Sequence, residues 1–205
     1  MNTSDYVKIP KSFYEKEDVV KIARELLGKY IFTQIDGKLT GGMIVETEAY
    51  NGRMDRACHA YHKRTNRTEI MYQPGGVAYV YLCYGIHHLF NIVTNKSDFA
   101  DAVLVRAIEP SLGIETMHER YGNHQHKVSN GPGKLSKALG ITTRLNGSDL
   151  AGDKIFIAQH KSQKRPKIAA STRIGVDYAG EDALLPWRFY IENNKWVSKQ
   201  RTPVI

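Results

Sequence analysis

Three strand-forming runs, VAYVYLCY (77–84), HLFNIVTN (88–95) and AVLVRAIE (102–109), follow one another in the middle of the chain. Each is dense in β-branched and aromatic residues, and Gly85 breaks the first pair as a turn would. Strands clustered here, with helical patterns on either side, indicate an α+β fold and not alternating βαβ units. Val19, Ile22, Ala23 and Leu26 recur at helical spacing and predict a helix from about Asp18 to Leu27, with Gly28 at its C′ position. KYIFTQI (29–35) and KLTGGMIVETEAY (38–50) read as strands joined by Asp36-Gly37, a type I′ hairpin signal. Asn66 and Glu69 suggest a capping box for a short helical turn that stops at Pro74-Gly75-Gly76. Ser111 is the expected N-cap of a helix from Leu112 to Tyr121. A second helix is expected over Gly133 to Leu139, closed by Gly140, and short strands near Lys154 to Ala158 and Trp187 to Ile191.

No repeat, low-complexity tract or linker interrupts this order, so the 205 residues read as a single domain, 1–205. A chain of this length buries roughly 70% of its unfolded surface, enough for one core without metal or disulfide staples. The two cysteines, Cys58 and Cys83, form no C-x-x-C pair. That argues against a disulfide scaffold or a cysteine-rich zinc site and fits a reducing compartment. MNTSDYVKIP has no apolar signal core, and no run approaches the roughly 18 apolar residues of a membrane span. A soluble, cytoplasmic protein with no membrane partner is expected. The net charge of +8, with a pI near 9.4, matches the electrostatic footprint of a nucleic-acid binder. Two basic clusters, HKRTNR (62–67) and HKSQKRPK (160–167), are readable as phosphate contacts or as solvated loops.

The sharpest local feature is IVETEAY (44–50). On a strand, Glu46 and Glu48 point to one face. They could bind a divalent metal, or one could serve as general base beside a structural partner, or both could form an exposed acidic edge. Tyr50, Tyr79, Tyr81 and Tyr84 cluster nearby in sequence. Such a set suits sheet packing, and it also suits stacking on a nucleobase, which contributes about 1–3 kcal/mol per base. Tyr84-Gly85-Ile86 at a hairpin tip would stand where a wedge enters DNA. His87 with His88 and His124 with His126 have no matching acidic partners, so no metal site is expected. NGPGKLSKALG (130–140) lacks P-loop spacing and reads as a helix entry.

Taken together these motifs resemble the alkyladenine (3-methyladenine) DNA glycosylase family, as a bacterial member. The resembling segments are IVETEAY (44–50), Asp55 to His59, Asn66-Arg67, PGGVAYVYLCYG (74–85), FNIV (90–93), VLVRAIEP (103–110), GIETM (113–117), NGPGKLSKALGI (130–141), STRIGVDYAGE (171–181) and LPWRFYI (185–191). They run in order from about Ser12 to Ser198. The resemblance implies one domain with a curved antiparallel sheet, a protruding β-hairpin and flanking helices. It implies base-excision repair of double-stranded DNA by a monofunctional, cofactor-free hydrolase that flips a damaged purine. The implied substrates are 3-methyladenine, 7-methylguanine, hypoxanthine and ethenoadenine. In that reading Glu48 activates the water, helped by Arg106 and the backbone carbonyl of Ile174. Tyr50, His59 and Tyr81 sandwich the flipped base, Asn91 lines the pocket, Tyr84 intercalates, and Ile86 beside it on the hairpin contacts DNA. Lys63, Arg64 and Arg67 contact phosphates, the enzyme is a monomer, and it associates with the nucleoid. Two rival readings stay open here: a metal-dependent nuclease using Glu46, Glu48 and Asp55, and a non-catalytic module that binds single strands.

Overall fold

The structure, a computed structural model, describes residues 5–122, 127–162 and 165–198. His124 and His126 lie outside the described residues, as do two positions of the second basic cluster. In chain order the elements are β1 (Tyr6–Lys8), α1 (Lys11–Tyr14), α2 (Val19–Leu26), β2 (Tyr30–Ile35), β3 (Lys38–Tyr50), a 3₁₀ turn (Glu69–Tyr72), β4 (Ala78–Cys83), β5 (His87–Thr94) and β6 (Asp101–Leu112). There follow α3 (Ile114–Tyr121), α4 (Pro132–Leu139), β7 (Ile155–His160), β8 (Ile168–Ser171), a 3₁₀ segment (Asp177–Leu184) and β9 (Arg188–Ile191). The fold is α+β. All nine strands join one curled antiparallel sheet in the order β1-β7-β2-β3-β6-β5-β4, and β9 branches from β3 and carries β8.

Helix α2 forms as its periodicity predicts. Val19, Ile22, Ala23 and Leu26 are all buried, and the Asp18 carboxylate accepts from the Lys21 amide at 2.9 Å, an N-cap that contributes about 1 kcal/mol. The β2–β3 hairpin turns on Asp36 (φ 53°) and Gly37 (φ 73°), both left-handed, as a type I′ turn requires. β3 is the spine of the sheet. Its first half pairs with β2 and its second half with β9, while β6 runs along its other side. Gly41 belongs in this strand because a Cβ there would stand 2.2 Å from the Phe32 ring.

Three register shifts lie in the β3–β6 ladder, and two of them shape the site. Ile44 pairs with Ile108, Glu46 with Ala107 and Thr47 with Val105, so Val45 is extra on β3 and Arg106 is extra on β6. A bulged residue leaves the regular alternation and its side chain is re-aimed. This puts the Arg106 guanidinium between two carboxylates of β3.

Two local expectations are corrected. Ser111 does not cap a helix: it lies in β6 and its hydroxyl donates to the Gly41 carbonyl, while left-handed Gly113 (φ 67°) turns the chain into α3. Asn66 and Glu69 form no capping box. Thr65 and Thr68 make the reciprocal amide-to-hydroxyl pair (3.3 and 2.9 Å), and Glu69 is bound by Arg64. β1, α1 and β8 were not anticipated, because runs of three or four residues carry too little periodicity to stand out. Among the described residues no helix is long and apolar enough to cross a membrane. Cys58 and Cys83 are both free thiols.

Candidate active site

Glu46 and Glu48 are fully buried, so neither forms an exposed acidic edge. Their environments differ. Glu46 accepts from Arg106 Nε (3.0 Å), Arg188 Nε (2.7 Å), Ser198 Oγ (2.8 Å) and the Ser198 amide (2.7 Å). Three of these donors converge on Oε1 and one reaches Oε2. Glu48 accepts from three donors: the Tyr50 hydroxyl (2.8 Å) and Arg106 Nη1 (3.1 Å) on Oε2, and the Ile174 amide (2.8 Å) on Oε1. One of its roughly four acceptor sites remains open. Glu46 orients Arg106 and Arg188, and Glu48 differs from it in that all three of its donors line a cavity. Ile174 meets Glu48 through its N–H.

All three donors to Glu48 line one cavity of about 220 Å³. A cavity of roughly 150 Å³ holds a benzene ring, so this one has room for a larger planar heterocycle. Tyr50, His59, Tyr81, Asn91, Arg106 and Ile174, expected together from the resemblance, do share its wall. Tyr79 and Tyr81 stack with ring centroids 5.4 Å apart, and His59 meets Tyr81 edge-on at 4.7 Å. Burial, with Glu48 beside it, raises the Tyr50 pKa well above its usual value, so its phenol stays a neutral donor. The Asn91 amide donates to the Tyr79 carbonyl at 3.2 Å, fixing its orientation.

His59 Nδ1 lies 2.9 Å from the Tyr79 hydroxyl. Burial first, and nearby Arg67 second, lower its pKa to about 4. His59 is thus a neutral ring at pH 7, not a cationic acid. The folded state resists a proton that the unfolded chain accepts below about pH 6.5, so stability is fully present above 6.5 and falls as pH drops toward 4. At pH 5 this costs about 2 kcal/mol, or roughly 4–8 °C in Tm for a chain of this size. Thermal melts at pH 7 and pH 5 should show that increment in the wild type over His59→Gln. Equal pH sensitivity of the two proteins would contradict it.

At the cavity mouth the β4–β5 hairpin turns on Tyr84 (φ 50°) and Gly85 (φ 72°), closed by a hydrogen bond from the Ile86 amide to the Cys83 carbonyl. Tyr84 is 92% exposed and Ile86 71%. A bulky residue held left-handed costs about 1–2 kcal/mol, and such strain clusters at functional positions. Ile86 does not line the cavity. Neither do Lys63, Arg64 and Arg67. Arg64 is engaged by Glu69 and Asp98 and covers the Tyr72 ring at 4.6 Å. Lys63 and Arg67 have no ion pair among the described residues.

Reading the motifs for chemistry misses one arrangement. Arg173 is buried and forms a bidentate pair with Asp55 (2.5 and 2.8 Å). It also donates to the carbonyls of Ala49 (2.9 Å) and Asp182 (3.0 Å), and lies between the rings of Tyr50 and Trp187. One guanidinium thus ties β3, the loop leading to His59 and the segment beyond Ile174. Asp55, a metal ligand in the nuclease reading, is committed to this pair. Among the described residues no group of three His, Cys, Asp or Glu could hold a metal ion. Tyr178, 69% exposed beside the mouth with its hydroxyl on the Ala57 carbonyl, was also unforeseen.

An aromatic cavity with room for a flat heterocycle thus lies against a buried, arginine-paired carboxylate. The sequence profile described as methylpurine-DNA glycosylase matches residues 12–195, and the chain belongs to that family. Similar proteins include one from Chlamydia felis (46% identical, 91% of this chain and 97% of the relative). Others are from Desulfitobacterium hafniense (43%, 93% and 98%) and Methanocella arvoryzae (45%, 94% and 96%). All three carry the provisional name 3-methyladenine DNA glycosylase.

Proposed function

We propose that this chain, as a single domain and a monomer, excises damaged purines from double-stranded DNA in base-excision repair. The observation that carries this reading is Glu48: a fully buried carboxylate with three donors and one open acceptor site, directly behind an aromatic cavity. The damaged base is flipped into the cavity between Tyr50, His59 and Tyr81, and Tyr84 takes its place in the stack. Asn91 crowds the exocyclic amine of guanine. Ile86 supports the wedge, and Lys63 and Arg67, with Arg64 fixing their loop, approach phosphates. Substrates are 3-methyladenine and 7-methylguanine, together with hypoxanthine and ethenoadenine.

The chemistry follows from the charge of the base. When the N-glycosidic bond of an alkylated purine breaks, its electron pair goes to a cationic ring that departs neutral, so little acid assistance is needed. Water adds to C1′ of the sugar and passes its proton to Glu48, whose charge also stabilises the oxocarbenium-like sugar. Among the described residues no lysine lines the cavity, so no amine stands ready for a Schiff base. The product is an abasic site without strand scission.

The experiment is incubation with duplexes carrying 7-methylguanine or hypoxanthine in EDTA, with chromatography of released base and alkaline cleavage of the DNA. Free base and alkali-dependent breaks are expected. Magnesium-dependent breaks without alkali, and no free base, would support the nuclease instead.

The strain at Tyr84 gives a second test. Tyr84→Asn places a residue that tolerates left-handed backbone, so Tm should hold or rise. Base release should fall about 10- to 100-fold, since the ring no longer offsets an extrusion cost of a few kcal/mol. The deficit should shrink for a mispaired lesion. A lowered Tm with equal loss on paired and mispaired duplexes would mark Tyr84 as structural.

A further inference from the structure

A second cleft, of about 550 Å³, lies between α2, Lys29 at the head of β2 and the segment entering β8. It is on the far side of β3 from Glu48: Thr47 donates to the Ala23 carbonyl of α2, and successive strand side chains alternate. Lys21, Arg24, Lys29 and Arg165 line it. Among the described residues none of these four has a carboxylate within ion-pair distance. The one acid on the wall, Glu25, is already paired with Lys16 at 2.9 Å.

Lys29 is the telling member. It is only partly exposed, and its ammonium meets Gln159 Oε1 at 3.2 Å and the face of the Phe13 ring at 5.2 Å. Burial lowers its pKa, and Lys16 and Arg165 add to this against Glu25. A desolvated cation crowded by like charges opposes folding, and an anionic ligand removes that penalty. The remaining wall is apolar, with Leu27, Pro166 and Ile168. β8, which carries Ile168, has β9 as its one strand neighbour among the described residues, so its other edge offers main-chain groups for pairing.

We infer that this cleft binds an acidic, extended peptide segment of a partner protein. Carboxylates meet Arg24, Lys29 and Arg165, and apolar side chains meet Leu27 and Ile168. Strand pairing with β8 supplies the backbone contacts. A nucleic-acid strand matches the charge and leaves both the apolar wall and the strand edge unused. Because the cleft and the aromatic cavity are on opposite sides of β3, a partner and a duplex can be held together. This inference does not depend on the activity proposed above.

The test is fluorescence polarisation with a fluorescein-labelled peptide alternating aspartate and leucine, added to the full chain. Saturable one-to-one binding that weakens with salt is expected. Lys29→Met, or Arg24→Glu with Arg165→Glu, should each lower affinity at least ~10-fold, and a saturating undamaged duplex should leave it within about 2-fold. Base release by these variants should match the wild type. Absence of saturable binding, unchanged affinity in the variants, or displacement of the peptide by the duplex would overturn the inference. So would a single-stranded oligonucleotide held more tightly than the peptide and lost in the same variants.

Discussion

Glu48→Gln lowers the single-turnover rate of base release by about 10²–10⁴-fold while lesion-duplex binding persists. Glutamine keeps the volume of the side chain, and its one carbonyl oxygen can take the place of Oε2 and still accept from Arg106 and the Tyr50 hydroxyl, while the contact to the Ile174 amide is lost. It cannot take the proton of the attacking water. The comparison with Glu46→Gln is informative, because Glu46 is bound by Arg106, Arg188 and Ser198, and of these only Arg106 lines the cavity. That variant should lose stability, since the buried Arg188 guanidinium loses its counter-ion and Arg106 keeps only Glu48. Near-normal cleavage by Glu48→Gln, with the large loss confined to Glu46→Gln, would transfer the role of base to Glu46.

Arg173→Ala should be the most destabilising single change at the site. Arg173 and Asp55 have side chains with no solvent exposure, and removing one partner leaves a buried charge uncompensated. Such losses run about 3–5 kcal/mol, or roughly 6–20 °C in Tm for a protein of this size. Base release by the surviving folded fraction should fall as well, because the residue after Arg173 supplies the amide that holds Glu48 Oε1. Replacing both partners, Arg173→Met with Asp55→Leu, should recover much of the Tm, as buried pairs exchanged for apolar residues often do. It should not recover base release, since methionine cannot bind the carbonyls of Ala49 and Asp182 that place this segment. Full recovery of both by the double variant would reduce Arg173 to a packing role.

What local sequence encodes came through. Asp36-Gly37 fixed a turn and with it the β2–β3 register, and the apolar spacing of α2 placed its buried face. Glu48, Arg106 and the pocket tyrosines were legible only through ordered motifs, because the ETE pattern alone also fits an exposed strand edge. The remainder depends on contacts distant in sequence. Arg173 and Asp55 are 118 positions apart, and no periodicity links them. The bulge that turns Arg106 toward both glutamates is a property of the β3–β6 pairing, not of either strand. Ser111 failed as a cap for a related reason: β6 continues past it along β3, and tertiary pairing overrides the local preference of serine for a helix start.

The central claim, that Glu48 takes the proton of the attacking water, is tested most directly by the pH dependence of single-turnover base release from a 7-methylguanine duplex. A required carboxylate base gives an acidic limb in which the rate falls about tenfold per pH unit. The wild type should show that limb; His59, with a pKa of about 4, also takes up a proton in acid, so His59→Gln separates the two and should retain the limb. Glu48→Gln should be slow and flat across the same range. An acidic limb of unchanged slope and position in Glu48→Gln would show that another group is the base and would contradict the account.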